Sequence, residues 1–160
     1  MIYISDEPKL SPWGAVQHCK IMNTGIYSVD TAGHGGIMIK TEYAKEILSP
    51  EARRCGFREN GYLNFEEDCA AAVAEREFLD KGIWKIPDYV KDKTEYENNL
   101  NNSIKRYFPE YWEKREKKLS ANYSKNSEKK SLLQTLKENK TKVKQLENIN
   151  KSVKEKNNMR

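Results

Sequence analysis

Glycine is scarce and stops early: the chain holds eight, and none follows Gly82, which excludes a flexible Gly-rich linker from the second half. Cys19, Cys55 and Cys69 are the only cysteines. An odd number without CxxC spacing excludes a disulfide framework and fits reduced thiols. Histidine is confined to His18 and His34, so imidazole chemistry has two places to occur. No run approaches the ~18 consecutive apolar residues of a membrane span. The start MIYISDEPKL lacks the basic and apolar regions of a signal peptide. A cytoplasmic chain without a membrane partner is expected. Hydrophobic residues make up 37% and mean hydropathy is −0.94, below the roughly 45–50% apolar content of ordinary domains, so part of the chain lies outside any core.

What is present divides by charge. Residues 1–90 carry 10 basic and 14 acidic side chains, and residues 91–160 carry 19 and 10. This predicts a small domain over 1–90, extending to 119 if Tyr111 and Trp112 dock back on it, and a basic, mainly helical extension over 91–160. The first part reads as α+β, a small curled antiparallel sheet with a packed helix. Asn23-Thr24-Gly25 is a turn signal between two β-prone runs, and Ile37-Met38-Ile39 resumes as a third strand. Thr41 is a candidate cap for a helix over 42–48. Ser49-Pro50-Glu51 has the pattern of a second helix start. Asn64 with Glu67, the alanine-rich stretch 69–74 and Gly82 predict a helix over 65–81. Phe65, Cys69 and Val73 would then share its buried face. Ile83, Trp84 and Ile86 read as a short strand or an apolar clasp, and Thr94 with Glu97 as a further capping box. From about Ser127 the pattern is one long polar helix. Leu136, Val143 and Asn150 fall at heptad position a, and Leu132, Asn139, Leu146 and Val153 at d. Two Asn in seven seam positions weaken self-pairing.

Three segments in order, Ser11-Pro12-Trp13-Gly14-Ala15-Val16-Gln17, then Gly25-Ile26 leading to Gly33-His34-Gly35-Gly36, then Phe65-Glu66-Glu67-Asp68-Cys69, resemble an uncharacterised small domain of phage and plasmid proteins. Its pattern reads approximately SPWGxxQ … HGG … EEDC. An Ala-rich helix and a later aromatic-Phe-Pro segment follow, here Tyr107-Phe108-Pro109. The chain departs from the pattern in Asp30-Thr31-Ala32-Gly33, where Ser-Thr-x-Ser is usual, and in Phe65, where Trp or Tyr is usual. The resemblance brings no activity with it; it implies origin on a mobile element.

Candidate chemistry centres on few residues. His34 sits among three glycines that can present its imidazole or expose backbone N–H groups; in the structural reading it fills a tight turn by hydrogen bonding to the backbone. The incomplete Gly-x-Gly argues against dinucleotide binding. A Cys69–His34 hydrolase needs a thiolate at a helix start, whereas Glu66, Glu67 and Asp68 before Cys69 would raise the thiol pKa. Zinc would draw on His18, Cys19, His34, Cys55 and Cys69, but no paired ligand spacing occurs, so no metal and no cofactor is expected. Glu66, Glu67 and Asp68 are accounted for by the positive end of the helix dipole, or form a surface for basic groups of a partner. Trp112 followed by Lys114, Arg115, Lys117 and Lys118 interleaves basic and aromatic groups as nucleic-acid binders do. Leu136 and Leu146 offer an apolar stripe to a partner helix or to a second copy of the chain. The expected function is a non-enzymatic mobile-element protein in the host cytoplasm that binds and inhibits a host protein or ribonucleoprotein complex of defence, as anti-CRISPR proteins do. The alternatives are the small hydrolase and a nucleic-acid-binding accessory protein acting through the tail.

Overall fold

A glycine turn at Gly25 and an asparagine-glycine turn at Asn60-Gly61 each join neighbouring strands of a sheet built from the first 66 residues. The computed structural model describes residues 7–157; the first six residues, the side chain of Ile149 and those beyond Lys151, Val153 among them, lie outside the described set. β1 (Leu10–Ser11) and β2 (Gly14–Ala15) form a two-stranded ribbon. β3 (His18–Asn23), β4 (Ile26–Asp30), β5 (Gly35–Lys40), β6 (Phe57–Glu59) and β7 (Tyr62–Glu66) form an open antiparallel sheet in the order β3-β4-β5-β7-β6. Helices α1 (Thr41–Ile47), α2 (Pro50–Arg53), α3 (Ala71–Lys81), α4 (Lys93–Tyr107) and α5 (Pro109–Asn157) complete the chain. The architecture is α+β, as composition and pattern predict.

The chain divides into two units, Met1–Arg115 and Glu116–Arg160. In the first, strand alternation separates two apolar layers. Ile26, Ile37, Ile39, Leu63 and Phe65 face a core completed by Val73 and Phe78 of α3, Leu100 and Ile104 of α4 and Tyr111 of α5. Tyr27, Val29 and Met38 point the other way and are covered by Trp13, Val16 and Tyr62. In the second unit α5 continues as one helix, every described side chain of which is exposed.

Local signals explain the elements that match expectation. Gly25 takes φ 73° in the β3–β4 turn, where a side chain would be strained. The Ser49 hydroxyl caps α2 by accepting from Ala52 N at 3.1 Å, and Gly82 ends α3 in the left-handed region.

The structure corrects several expectations. Residues 62–66 are a strand, so Asn64 and Glu67 cap nothing and α3 begins at Ala71. The physical reason is the Asn60-Gly61 turn, with φ 50° and 82°, which folds β7 back on β6 and pairs Phe65 with Ile37 across β5. Cys69 therefore lies half-exposed in a turn instead of on a buried helical face. Thr41 is already inside α1, whose N-cap is Lys40. Asp92 caps α4 by accepting from Glu95 N at 2.8 Å, while Glu97 binds Arg76. Of the two expectations for residues 83–86 the strand does not form, while Ile83 and Trp84 pack on the core and Ile86 is buried, and the long helix starts at Pro109 instead of Ser127.

Candidate functional site

One end of the sheet collects the three sequence segments singled out above. Gly36 has no room for a side chain: a Cβ there would collide with the backbone oxygen of Phe65 and stand 2.5 Å from Trp13 Cη2. Gly36 pairs with Glu66, and Glu67 N donates to Gly35 O at 3.1 Å, which carries the β5–β7 ladder one step beyond the strands. The loop before β5 closes on itself. Thr31 Oγ1 donates to His34 O at 2.6 Å and accepts from His34 N at 3.2 Å. The backbone of His34 thus makes the turn, and the imidazole, expected to fill it, points elsewhere.

It points at carboxylates. His34 Nδ1 lies 3.9 Å from Glu66 Oε1, 4.0 Å from Glu67 Oε1 and 4.0 Å from Asp68 Oδ2. Asp30 joins them: a Cβ on Gly35 would meet Glu67 Oε2 at 2.8 Å and Asp30 Oδ1 at 3.0 Å. Among the described residues none of these four carboxylates is ion-paired to Lys or Arg. The acidic trio sits at a strand end and in the turn after it, so a helix dipole does not account for it. Asp30 escaped the sequence reading, although extending the register from the Asn23–Gly25 turn brings it opposite Gly35.

Such an arrangement concentrates negative charge beside one half-exposed imidazole. One ligand atom each from His34, Glu66 and Asp68 fall within 4.8 Å of one another, close enough to converge on a cation. This set differs from the cysteine-containing one that the sequence offered for zinc; Cys19, Cys55 and Cys69 take no part in it. The Cys69 thiol donates instead to Glu66 Oε2 at 3.2 Å. Burial, that hydrogen bond and the Glu66 and Asp68 charges all push the thiol pKa up. A nucleophile needs the opposite, so the geometry gives the Cys69–His34 hydrolase no support. Replacing Glu66 with Gln is expected to speed iodoacetamide labelling of Cys69 a few-fold near neutral pH, on the order of the thiolate gained. An unchanged rate, followed by mass spectrometry, would remove Glu66 as the cause.

The remaining candidates lie elsewhere. Trp112 is half-buried against the core, with Lys105 Nζ 4.9 Å and the Arg115 guanidinium 5.0 Å from its ring centre. Arg115 grips Asp80 through Nε–Oδ2 at 2.6 Å and a second bond at 2.8 Å. Lys114 lines a cleft of about 350 Å³ with Arg54, Cys55, Tyr107, Phe108 and Tyr111, in which burial chiefly pushes the Cys55 thiol up to about 11. Lys117, Lys118, Leu136 and Leu146 are exposed on α5.

Residues 6–138 match the family described as a domain of unknown function, DUF7007. No curated protein and no solved structure matches the chain.

Proposed function

The chain belongs to the DUF7007 family, and from the geometry of its sheet end we propose that it is a non-enzymatic binding protein whose recognition surface is Asp30, His34, Glu66, Glu67 and Asp68. The observation that carries this reading is a group of four carboxylates with no Lys or Arg partner among the described residues, three of them around the His34 imidazole and Asp30 beside Glu67 at Gly35. Like charges at this density repel one another, and an incoming Lys- or Arg-rich surface relieves that repulsion. Preorganisation supports the same reading: the β5–β7 ladder and the Thr31–His34 turn hold the charges in place before a partner arrives.

The partner suited to this surface is the basic, nucleic-acid-binding face of a protein, which the chain would occlude. The resemblance to phage and plasmid proteins supports origin on a mobile element and a target among host defence nucleoproteins, an anti-CRISPR-like role in the host cell. The test is affinity capture from host lysate with the parent chain and with the Glu67→Lys/Asp68→Lys variant, both side chains being well exposed. A stoichiometric partner recovered by the parent and bound at least about tenfold more weakly by the variant is expected, since like charges across an interface cost several kcal/mol. Equal recovery by both chains would overturn the reading.

A further inference from the structure

Most lysines of the second unit lie on one side of its helix. At about 100° per residue along an α-helix, Lys125, Lys129, Lys130, Lys137, Lys140 and Lys144 of α5 project within an arc of about 140°. Glu128, Glu138 and Lys142 project from the opposite side, and Glu147, one turn beyond Lys144, projects within the arc. All six lysines are exposed and none is ion-paired among the described residues. They cover a rise of about 28 Å at 1.5 Å per residue. We infer that this lysine face binds the phosphate backbone of a nucleic-acid duplex without reading its sequence.

Three features favour that occupant over a protein helix, a bilayer or a single strand. The apolar seam that borders the lysines is short, Leu132, Leu136, Val143 and Leu146 with Asn139 in its middle, and Leu133 projects singly among the lysines. Its N-terminal continuation at the same heptad positions holds Lys125 and Lys129, which a packed helix or a bilayer would have to bury at a cost in desolvation. A phosphate backbone neutralises them where they stand. The cations of the face are all lysine; an ammonium is a compact point charge that meets phosphates from any direction, whereas carboxylate recognition favours the fork of arginine. Single strands are held by aromatic stacking as well as charge, and between Glu116 and Asn157 the only aromatic residue is Tyr123.

The inference stands on α5 alone and goes beyond the sheet-end reading. Its test uses the free full-length chain and the fluorescence anisotropy of short DNA duplexes of two unrelated sequences across a salt series. Both duplexes are expected to bind equally, with log affinity falling linearly as log salt rises. Lys129→Gln/Lys137→Gln/Lys140→Gln/Lys144→Gln should weaken binding by about 10²-fold at low salt and reduce the salt slope by about 3 to 4, at ~0.9 for each phosphate no longer neutralised. Leu136→Gln/Leu146→Gln should bind within about twofold of the parent, since it leaves every phosphate-binding lysine in place. Circular dichroism checks that both variants remain helical. Unchanged affinity of the lysine variant, loss of binding in the leucine variant, or capture by anionic vesicles or poly-glutamate in preference to the duplex would each overturn the inference. Because no protein partner is present, failure here leaves the sheet-end reading untouched.

Discussion

Ending the chain after Val90 is expected to abolish cooperative folding of the first unit, while ending it after Leu119 leaves its melting temperature unchanged. The shift in charge near residue 91 marks the first cut as natural; the packing does not. Residues beyond Val90 supply Leu100, Ile104 and Tyr111, at 8%, 0% and 4% exposure, and Phe108 and Trp112 pack on the same core. Each large apolar side chain withdrawn from a core costs roughly 2–5 kcal/mol, so five of them, roughly 10–25 kcal/mol together, match or exceed the ~5–15 kcal/mol that holds a domain together. The polar losses compound this. Arg76, 6% exposed, would lose Glu97 at 2.7 Å and Asn101 at 3.4 Å, and Asp80 would lose Arg115. The longer fragment keeps all of these, and beyond Arg115 every described side chain is exposed. Thermal melts of the two fragments check the expectation; equal melting temperatures would show that α4 and the start of α5 add nothing to the core.

The parts of the fold that were legible from the sequence are those written locally. The turn at Asn23–Gly25, the Ser49-Pro50 helix start and the Gly82 stop each follow from the backbone preference of one or two residues. The hairpin of β6 and β7 was written as locally, in Asn60-Gly61, but the alanine run after Cys69 has so strong a helix preference that the helix is drawn too far toward the N-terminus. Tertiary pairing of Leu63 and Phe65 with β5 overrides it. That one strand decides the candidate site. His34 and Glu66–Asp68 stand out separately in the sequence, the first for its glycines and the others for their charge. What joins them is the register Gly36↔Glu66, a pairing across 30 residues that no local pattern specifies. Asp30 enters by the same route, through Asp30↔Gly35. Trp112 and Arg115 show the converse: basic residues beside an aromatic ring resemble a nucleic-acid surface, yet the bonds of Arg115 to Asp80 and the packing of Trp112 on the core tie the start of α5 down.

Replacing Glu77 with Gln is expected to destabilise the first unit by about 2–4 kcal/mol at neutral pH, the scale of losing hydrogen bonds to a buried charge. Glu77 is 7% exposed and accepts from Ser49 N at 3.0 Å, Ser49 Oγ at 2.7 Å, Lys81 Nζ at 2.8 Å and Tyr111 Oη at 3.0 Å. Through these bonds one carboxylate on α3 fastens the start of α2 and the start of α5. Burial by itself would raise its pKa, but the hydrogen bonds from Lys81 and Ser49 outweigh burial and hold it below its ordinary value. Burial and the Glu77 charge push the Tyr111 phenol up, so it remains the donor. An acid whose pKa is depressed by folding binds its proton less readily in the native state than in the unfolded one. Its contribution is therefore full above the ordinary carboxylate pKa and is lost as pH falls through the depressed value. Glu75 works in the opposite sense, since burial raises its pKa despite a hydrogen bond from Tyr96, and it is present in both chains, so the Glu77 contribution is read from the difference between parent and variant. Denaturant unfolding at neutral pH and at successively lower pH measures that difference. It should shrink as the solution is acidified below about pH 4, and a difference that stays constant down to the lowest pH would show that the Glu77 charge is not what fastens α2 and α5 to α3.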